Sequence, residues 1–315
     1  MSATVFIDGE VGTTGLQIRE RLENRADISF LRLDERERKD LARRGEMLNS
    51  ADIVILCLPD DAARGAVAMI KNDAVRVIDA SSAHRVAEGW VYGMPEYDLG
   101  QVAKIAAAKR VTNPGCYAIT SVSILHPLVA AGVIPADHPV TINAISGYSG
   151  GGKQMIADFE DLENGASANT AFRVYGLGLA HKHVPEIKTW SGLAHAPLLV
   201  PSVGHFRQGM IVQVPLQLWS LPGSVTISDV HGALADHYAG QRFVKVKALE
   251  ETAEMSGLEP EGLNGTNELH LHVIGNGETG QAVVIGLIDN LGKGASGQAV
   301  QNLNLMIGAA PDTGL

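Results

Sequence analysis

Residues 4–15, TVFIDGEVGTTG, contain the pattern that decides the fold of the first part of the chain. Residues 4–8 contain the apolar run Val5-Phe6-Ile7, which is typical of a buried strand. A glycine-rich turn follows, and Leu16, Ile18 and Leu22 then recur at the spacing of a helix. A strand, a glycine turn and a helix in this order allow backbone N–H groups to approach a pyrophosphate. The stretch therefore predicts a dinucleotide-binding turn, although its G-x-x-G-x-x-G spacing alone is a weak signal.

Three further apolar runs support a parallel sheet around this turn. Residues 28–33, 51–59 and 74–79 are predicted strands, and residues 62–70 have the pattern of a helix between the last two. Strands that alternate with helices indicate right-handed crossovers and a parallel sheet covered on both faces. We therefore expect an α/β protein with an N-terminal Rossmann-type domain.

The residues after the second strand leave the cofactor open. Asp34 at this position favours a free ribose 2′-hydroxyl and hence NAD, whereas the nearby Arg36, Arg38 or Lys39 would suit the 2′-phosphate of NADP. For most of these side chains a solvated charge run is the favoured interpretation.

The second part of the chain has a different pattern. Short runs with period-two alternation predict strands over residues 139–146, 200–203, 210–216, 243–246, 268–274 and 282–288. We expect an α+β domain with a mixed, mostly antiparallel sheet. The predicted boundaries are 1–115 for the dinucleotide-binding domain, completed by a C-terminal helix within 296–315, and 116–295 for a catalytic and dimerisation domain.

Cys116 is the candidate nucleophile. It follows the turn sequence Asn-Pro-Gly of residues 113–115 and precedes an apolar stretch that has the pattern of a helix. A cysteine in the first turn of a helix faces unpaired N–H groups and the positive end of the dipole, which favour the thiolate. The other cysteine, Cys57, lies inside a predicted strand and is interpreted as structural.

Two histidines are the candidate acid and base. His181 and His183 are followed by Glu186 in the run HKHVPE, and in a strand the H-x-H spacing would direct both rings to one side. A histidine beside a thiolate is a standard nucleophile–base pair. The same residues would suit zinc, but no third strong ligand is spaced nearby, so we predict no metal. The glycine cluster of residues 147–153 lacks the Walker spacing and is expected to be a mobile active-site loop.

Composition excludes several classes of protein. The chain has 315 residues, a net charge of −10 and only two cysteines, and its mean hydropathy is +0.07. The acidic balance disfavours nucleic acid as a partner, and no apolar run has the length of a membrane helix. The start of the chain is not a signal peptide, so we expect no membrane association and a reducing, cytoplasmic location.

Several of these stretches together resemble the N-acetyl-gamma-glutamyl-phosphate reductases of arginine biosynthesis, a family of the semialdehyde dehydrogenase superfamily. The resemblance covers nearly the whole chain, and the Gly-Glu-Val-Gly-Thr-Thr-Gly turn and the length are similar to its shorter, type 2 branch. The segments that carry it are residues 9–15, 58–59 (LP), 79–81 (DAS), 92–96 (YGMPE), 113–117 (NPGCY), 181–186 (HKHVPE) and 297–302 (GQAVQN).

The resemblance implies an activity and a set of site residues. It implies NADPH-dependent reductive dephosphorylation of N-acetyl-glutamyl 5-phosphate to the 5-semialdehyde through a thioester on Cys116, in a homodimer or homotetramer that acts on small molecules. His183 is the first choice for the acid/base and His181 the second, and Glu186 completes the catalytic set. The implied cofactor-binding residues are Gly9, Gly12, Thr13, Thr14, Gly15, Arg36, Pro59, Ser81 and Asn290. The implied substrate-binding residues are Asn113, Arg85 and Arg207.

Other functions share part of this pattern. A sibling reductase acting on aspartyl or aminoadipyl phosphate would keep the cysteine and the cofactor turn and differ in the pocket for the acyl chain. A nucleotide-sensing protein without chemistry would not need Cys116. A zinc hydrolase built on His181 and His183 would contain stoichiometric metal and lose activity to chelators.

Overall fold

The described chain, residues 2–315 in a computed structural model, falls into two structural units. The first contains the described residues up to Pro95, together with Leu99–Pro114 and Ala295–Leu315. The second contains Glu96–Asp98 and Gly115–Gly294.

A six-stranded, wholly parallel sheet forms the first unit, as the sequence predicts. Its order is β2-β1-β3-β4-β6-β5. The order changes direction between the first and third strands, and ligands bind at the carboxyl ends of strands at such a switch point. The strands are β1 (Ala3–Asp8), β2 (Ile28–Leu31), β3 (Ile53–Leu56), β4 (Arg76–Asp79), β5 (Val91–Tyr92) and β6 (Arg110–Thr112). The helices of this part are α1 (Thr13–Leu22), α2 (Leu41–Ser50), α3 (Asp60–Met69) and α4 (Gln101–Ala107).

A seven-stranded mixed sheet forms the second unit, in the order β11-β12-β13-β10-β7-β9-β8. β7 pairs with β9 and β11 with β12 in parallel, and the remaining pairings are antiparallel. The prediction of a mixed, mostly antiparallel sheet is therefore confirmed. The strands are β7 (Thr141–Gly147), β8 (Phe172–Val174), β9 (Leu198–Gly204), β10 (Met210–Gln217), β11 (Val244–Val246), β12 (Leu269–Asn276) and β13 (Gln281–Ile288). The helices are α5 (Cys116–Ala130), α6 (Gly152–Glu160), α7 (Val184–Ser191), α8 (Ile227–His237) and α9 (Leu249–Ala253).

Apolar side chains cover both faces of the parallel sheet. Val5 belongs to one buried cluster and its neighbour Phe6 to another, because successive side chains of a strand point to opposite faces. The last helix, α10 (Gly297–Ile307), contributes Val300 and Leu303 to the cluster of Val5. This two-sided burial explains why the central strands are almost continuously apolar in sequence.

The glycine cluster of residues 147–153 was predicted wrongly as a loop. Residues 148–151 of the expected mobile loop form a 3-10 turn, and α6 follows it directly. The reason is an apolar stripe in α6 that includes Phe159, which is buried and stacks on Tyr148 at 5.0 Å between ring centroids. The helix predicted from Leu16, Ile18 and Leu22 is confirmed as α1, in which Ile18 and Leu22 are buried and Leu16 is 46% exposed.

No helix in the described part of the chain combines the length and the apolar character that crossing a membrane requires.

Candidate active site

Cys116 is the first residue of α5. Gly115 is the N-cap residue and has an extended backbone, with φ −79° and ψ 151°. The first turn of a helix has N–H groups without partners inside the helix, and they favour a negative charge at this end. Most of the following turns of α5 are buried, whereas Cys116 is only partly buried. The sulfur therefore lies at an electropositive helix end, where a reactive cysteine is expected.

Glu186 holds the turn that precedes the cysteine. It lies in the first turn of α7 and is 1% exposed. Its Oε1 accepts a hydrogen bond of 3.0 Å from the backbone N–H of Gly115. This contact gives Glu186 a positioning role, since it fixes the residue next to Cys116.

His181 and His183 lie in the turn before α7 and not in a strand, so the strand geometry considered for H-x-H is wrong. Pro185 in the first turn of α7 favours a helix start, and His183 is its N-cap residue. The two rings are nevertheless close, with centroids 4.7 Å apart, because the His183 N–H donates to His181 Nδ1 at 3.2 Å. His183 is 5% exposed.

Tyr117 connects the histidines to the cysteine helix. Its ring centroid lies 5.6 Å from that of His181 and 5.8 Å from that of His183. Since Tyr117 directly follows Cys116, the first turn of α5 and the histidine turn meet at this side chain. The structure thus brings Cys116, both histidines and Glu186 to one place in the second unit.

Two phenols beside the cysteine were not identified from the sequence. The Tyr175 hydroxyl donates to that of Tyr117 at 3.0 Å, and Tyr117 donates to the Ser202 carbonyl at 3.1 Å. Burial raises the pKa of Tyr117 well above its usual range, with contributions from Tyr175 and the charge of Cys116. The pKa of Tyr175 is likewise raised to about 12, mainly by burial. The hydrogen bond to Tyr117 lowers this pKa, and the charge of Cys116 raises it. Both phenols therefore stay neutral. The position of Tyr117 directly after Cys116 could have indicated that it lies near the cysteine. No feature of the sequence around Tyr175 indicates this.

The segment after β13 lies against the same helix end. Asn290 is buried, and its Oδ1 accepts from the Gly209 N–H at 2.7 Å while its Nδ2 donates to Ser149 Oγ at 3.1 Å. A Cβ built on Gly294 would lie 2.9 Å from Cys116 Cβ. The backbone at Gly294 therefore contacts the cysteine, which no sequence pattern had indicated.

The glycine turn of the first unit has the shape that its sequence suggests. Gly9 has φ +92°, and a Cβ there would overlap the Cys57 carbonyl. A Cβ on Gly15 would lie 2.6 Å from the Gly9 carbonyl oxygen. Gly12 is the N-cap residue of α1, which begins at Thr13 and continues through Thr14.

A cavity opens beside this turn. Its lining includes residues of the turn, residues that follow β2, and the arginines Arg32, Arg38 and Arg44. Arg44 pairs with Asp8 at 2.6 Å, and Arg38 pairs with Glu10 at 3.2 Å. Arg36 is exposed and does not contribute to the lining.

The remaining residues proposed for the first unit have local contacts. Pro59 is the N-cap residue of α3. Ser81 is buried and donates to Asp79 Oδ2 at 2.8 Å. Arg85 is also buried and donates to the Ala80 carbonyl at 3.3 Å. Asn113 donates to the Ala295 carbonyl at 3.0 Å.

Arg207, in the second unit, forms an ion pair with Glu160 and is 59% exposed in its side chain. Within residues 2–315, no three His, Cys, Asp or Glu side chains cluster in a way that would hold a metal ion.

Two motifs noted in the sequence meet in the first unit. Gln298 and Asn302 of α10 donate to the Gly93 carbonyl at 2.8 and 2.9 Å. Asn302 also donates to Asn113 Oδ1 at 3.1 Å. The amides of α10 thereby connect the segment after β5 to the segment that leads into Cys116.

Replacing Glu186 tests the positioning role. Glu186→Ala leaves the buried Gly115 N–H without its acceptor, so we expect a loss of about 1–3 kcal/mol in the free energy of unfolding. We also expect slower alkylation of Cys116 by iodoacetamide. Glu186→Gln retains an acceptor oxygen and is expected to lose less on both measures. Equal losses in the two variants would contradict the role of this hydrogen bond.

Comparison with known proteins gives the family. Residues 4–105 match the semialdehyde dehydrogenase NAD binding domain, and residues 116–290 match the semialdehyde dehydrogenase dimerisation domain. The N-acetyl-gamma-glutamyl-phosphate reductase of Burkholderia ambifaria is 56% identical over 306 residues, which cover 97% of this chain and 96% of that protein. N-acetyl-gamma-glutamyl-phosphate reductase 2 of Pseudomonas putida is 54% identical and covers 97% of each chain.

Solved structures show the same fold at low identity. The aspartate semialdehyde dehydrogenase II of Vibrio cholerae, complexed with ASA, superposes with a TM-score of 0.73 at 15% identity and covers 98% of both chains. The aspartate semialdehyde dehydrogenase of Candida albicans, solved with NADP, gives a TM-score of 0.65 at 13% identity and covers 98% of this chain and 99% of that one.

The two domain matches and the relatives at 56% and 54% identity show that the chain belongs to the N-acetyl-gamma-glutamyl-phosphate reductase family of the semialdehyde dehydrogenases.

Proposed function

We propose that this protein reduces N-acetyl-glutamyl 5-phosphate to N-acetyl-glutamate 5-semialdehyde with NADPH, through a thioester on Cys116. The arrangement around Cys116 carries the proposal, because a thiol at a helix start, a held turn and two adjacent histidines suit covalent catalysis. The named activity of the relatives supports this acyl phosphate. The likeness to aspartate semialdehyde dehydrogenases concerns the fold alone.

Cys116 performs the first step. Its thiolate attacks the acyl carbon of the substrate, the carbon–oxygen bond to phosphate breaks, and inorganic phosphate leaves. The N–H groups of the first turn of α5 stabilise the negative charge that develops on the carbonyl oxygen. Covalent capture keeps the acyl group from hydrolysis until it is reduced.

The glycine turn and its cavity fit a dinucleotide cofactor. The bare backbone of Gly9 and Gly15 and the start of α1 suit a pyrophosphate. Arg38 and Arg44 bring guanidinium groups to the cavity, and we assign them, rather than the exposed Arg36, to the 2′-phosphate of NADP. Hydride for the thioester carbonyl is what the reduced nicotinamide supplies when bound.

A histidine completes the reaction. Reduction of the thioester gives a thiohemiacetal, which needs proton transfer as it collapses to the aldehyde and restores the thiolate. We assign this transfer to His183, because it is buried and held at the start of the helix that carries Glu186. Arg85, Arg207 and Asn113 remain our candidates for the anionic groups of the substrate, and Pro59, Ser81 and Asn290 for the cofactor.

We further propose a cytoplasmic homodimer or homotetramer that acts on this small molecule. The family model that matches residues 116–290 is named a dimerisation domain, which supports self-association. The edge strand β8 is exposed along its length and carries Phe172 and Val174, which would suit a second copy of the chain. Sedimentation of the purified chain measures this state.

The reaction is tested in reverse. N-acetyl-glutamate semialdehyde, inorganic phosphate and NADP should give phosphate-dependent formation of NADPH, with lower kcat/KM for NAD because NAD lacks the phosphate for Arg38 and Arg44. Aspartate semialdehyde is the matched comparison. Equal or better turnover of aspartate semialdehyde would contradict the proposed substrate. A preference for NAD would contradict the assignment of NADP as the cofactor.

Cys116→Ala should abolish turnover, because no thioester can form, while NADPH affinity measured by fluorescence stays unchanged. Cys57→Ala is the matched control and should retain activity. Burial, together with the charges of Asp79 and Asp8, raises the pKa of the Cys57 thiol to about 12, so this thiol stays protonated. Residual turnover in Cys116→Ala would contradict the covalent route.

The two histidines are separated by matched variants. His183→Asn should lower kcat by about 10²–10⁴-fold, the contribution expected of a positioned acid or base. His181→Asn should lower kcat less, because the proposed proton transfer is assigned to His183 and not to His181. A larger loss in His181→Asn would move the acid/base role to His181.

A further inference from the structure

A fully buried ion pair lies in the second unit, apart from the groups assigned to catalysis. The ammonium of Lys293 lies 2.9 Å from each carboxylate oxygen of Glu96. The two side chains are 0% and 2% exposed, and Lys293 Nζ lies 5.4 Å from the ring centroid of Phe243. Taking two charges out of water is costly, and well-packed apolar residues often stabilise a fold at least as well. Stability alone is therefore a weak reason for the pair.

Lys293 belongs to the segment that contacts the nucleophile. It lies in a π-helical turn, Gly292–Ser296, which comes directly before α10. Such turns are rare and frequently occur at functional sites. The next residue, Gly294, places its backbone so close to Cys116 that a Cβ would lie 2.9 Å from Cys116 Cβ. Lys293 and Gly294 are thus neighbours in one turn. The side chain of Lys293 forms the ion pair, and the backbone of Gly294 lies against Cys116.

Asp289 holds the start of this segment. Its Oδ1 accepts from the Leu291 N–H at 2.9 Å, and its Oδ2 accepts from the Gly265 N–H at 2.8 Å and from Gln208 Nε2 at 2.6 Å. The Asp289 carbonyl accepts from the Gly294 N–H at 2.9 Å. These bonds fix where the segment leaves β13. The Gly294 N–H bond closes the turn. The turn is also held to Glu96 through Lys293, whose ammonium donates to both carboxylate oxygens.

We propose that Lys293 and Glu96 are positioning residues, which hold the backbone at Gly294 against Cys116 and so fix the direction in which the thiolate meets the acyl carbon. The proposal rests on the covalent role of Cys116 proposed above. A thiolate confined at the helix start keeps its contacts with the N–H groups there, whereas a loosened turn would let it leave that position. An apolar pair of equal volume would fill the space but would not set the orientation of the turn.

The test replaces the pair without leaving a buried charge. Lys293→Met combined with Glu96→Leu should leave Tm near that of the wild type, because both charges are removed together. Alkylation of Cys116 by iodoacetamide, measured without substrate or cofactor, should slow by about tenfold. The kcat should fall by about tenfold to a hundredfold, with KM for the semialdehyde nearly unchanged, since the bound substrate meets a misplaced sulfur.

Matched variants define the outcome. Lys245→Met removes a partly exposed ion pair with Glu268 in the same unit and should change neither rate. Gly294→Ala keeps the buried pair but inserts a Cβ against Cys116, and it should reproduce the losses. If the double variant does not fold, Lys293→Met combined with Glu96→Gln, which keeps the shape of Glu96 and leaves no buried charge, is scored by the same rates.

A folded variant that lacks the ion pair and has wild-type alkylation and kcat would overturn the proposal. Wild-type rates in Gly294→Ala would do the same, because the contact with the turn would then be without effect. Because alkylation needs no substrate, its result stands even if the wild-type protein fails to reduce the proposed acyl phosphate.

Discussion

The hydrogen bond from the Gly115 N–H to Glu186 is the contact on which the site depends. It joins the start of α5 to the start of α7 across 71 residues of sequence. Through it, the turn that presents Cys116 and the turn that presents His183 are held by one buried carboxylate. The acid that the sequence places beside the histidines therefore acts on the backbone of the nucleophile turn. The geometry around Cys116 is in this way supported by a buried carboxylate on another helix.

Close approach of bare backbone is the second constraint on both units. At Gly9 a side chain would overlap the carbonyl of Cys57, and at Gly294 it would press on Cys116. The first glycine permits the tight turn beside the cavity of the first unit, and the second permits a backbone contact with Cys116. Side chains at these positions would displace neighbours that are fixed by hydrogen bonds, so the cost would fall directly on the two functional regions.

Most of the architecture was predictable because it follows from local pattern. The buried parallel strands are continuous apolar runs, and β10, with its alternating burial, follows the period of a strand. The helix start at Cys116 followed from the turn chemistry of residues 113–115. The errors arose where longer-range packing decides. Residues 147–153 contain four glycines, and only the packing of Phe159 on Tyr148 shows that they lead into a helix. The H-x-H spacing fits a strand equally well, whereas in the structure both histidines lie in the turn before α7, which begins at Val184.

The sequence by itself determined the two kinds of sheet, the glycine turn, the cysteine at a helix start and the histidine pair, because these depend on residue type and short spacing. Only the tertiary structure decided which groups surround the sulfur. Tyr175, Gly294 and the Lys293–Glu96 pair come from segments far apart in the chain, and no local pattern brings them together. Their positions follow from the pairing of β8 with β9 and from the segment that leaves β13, which are contacts over long sequence distances.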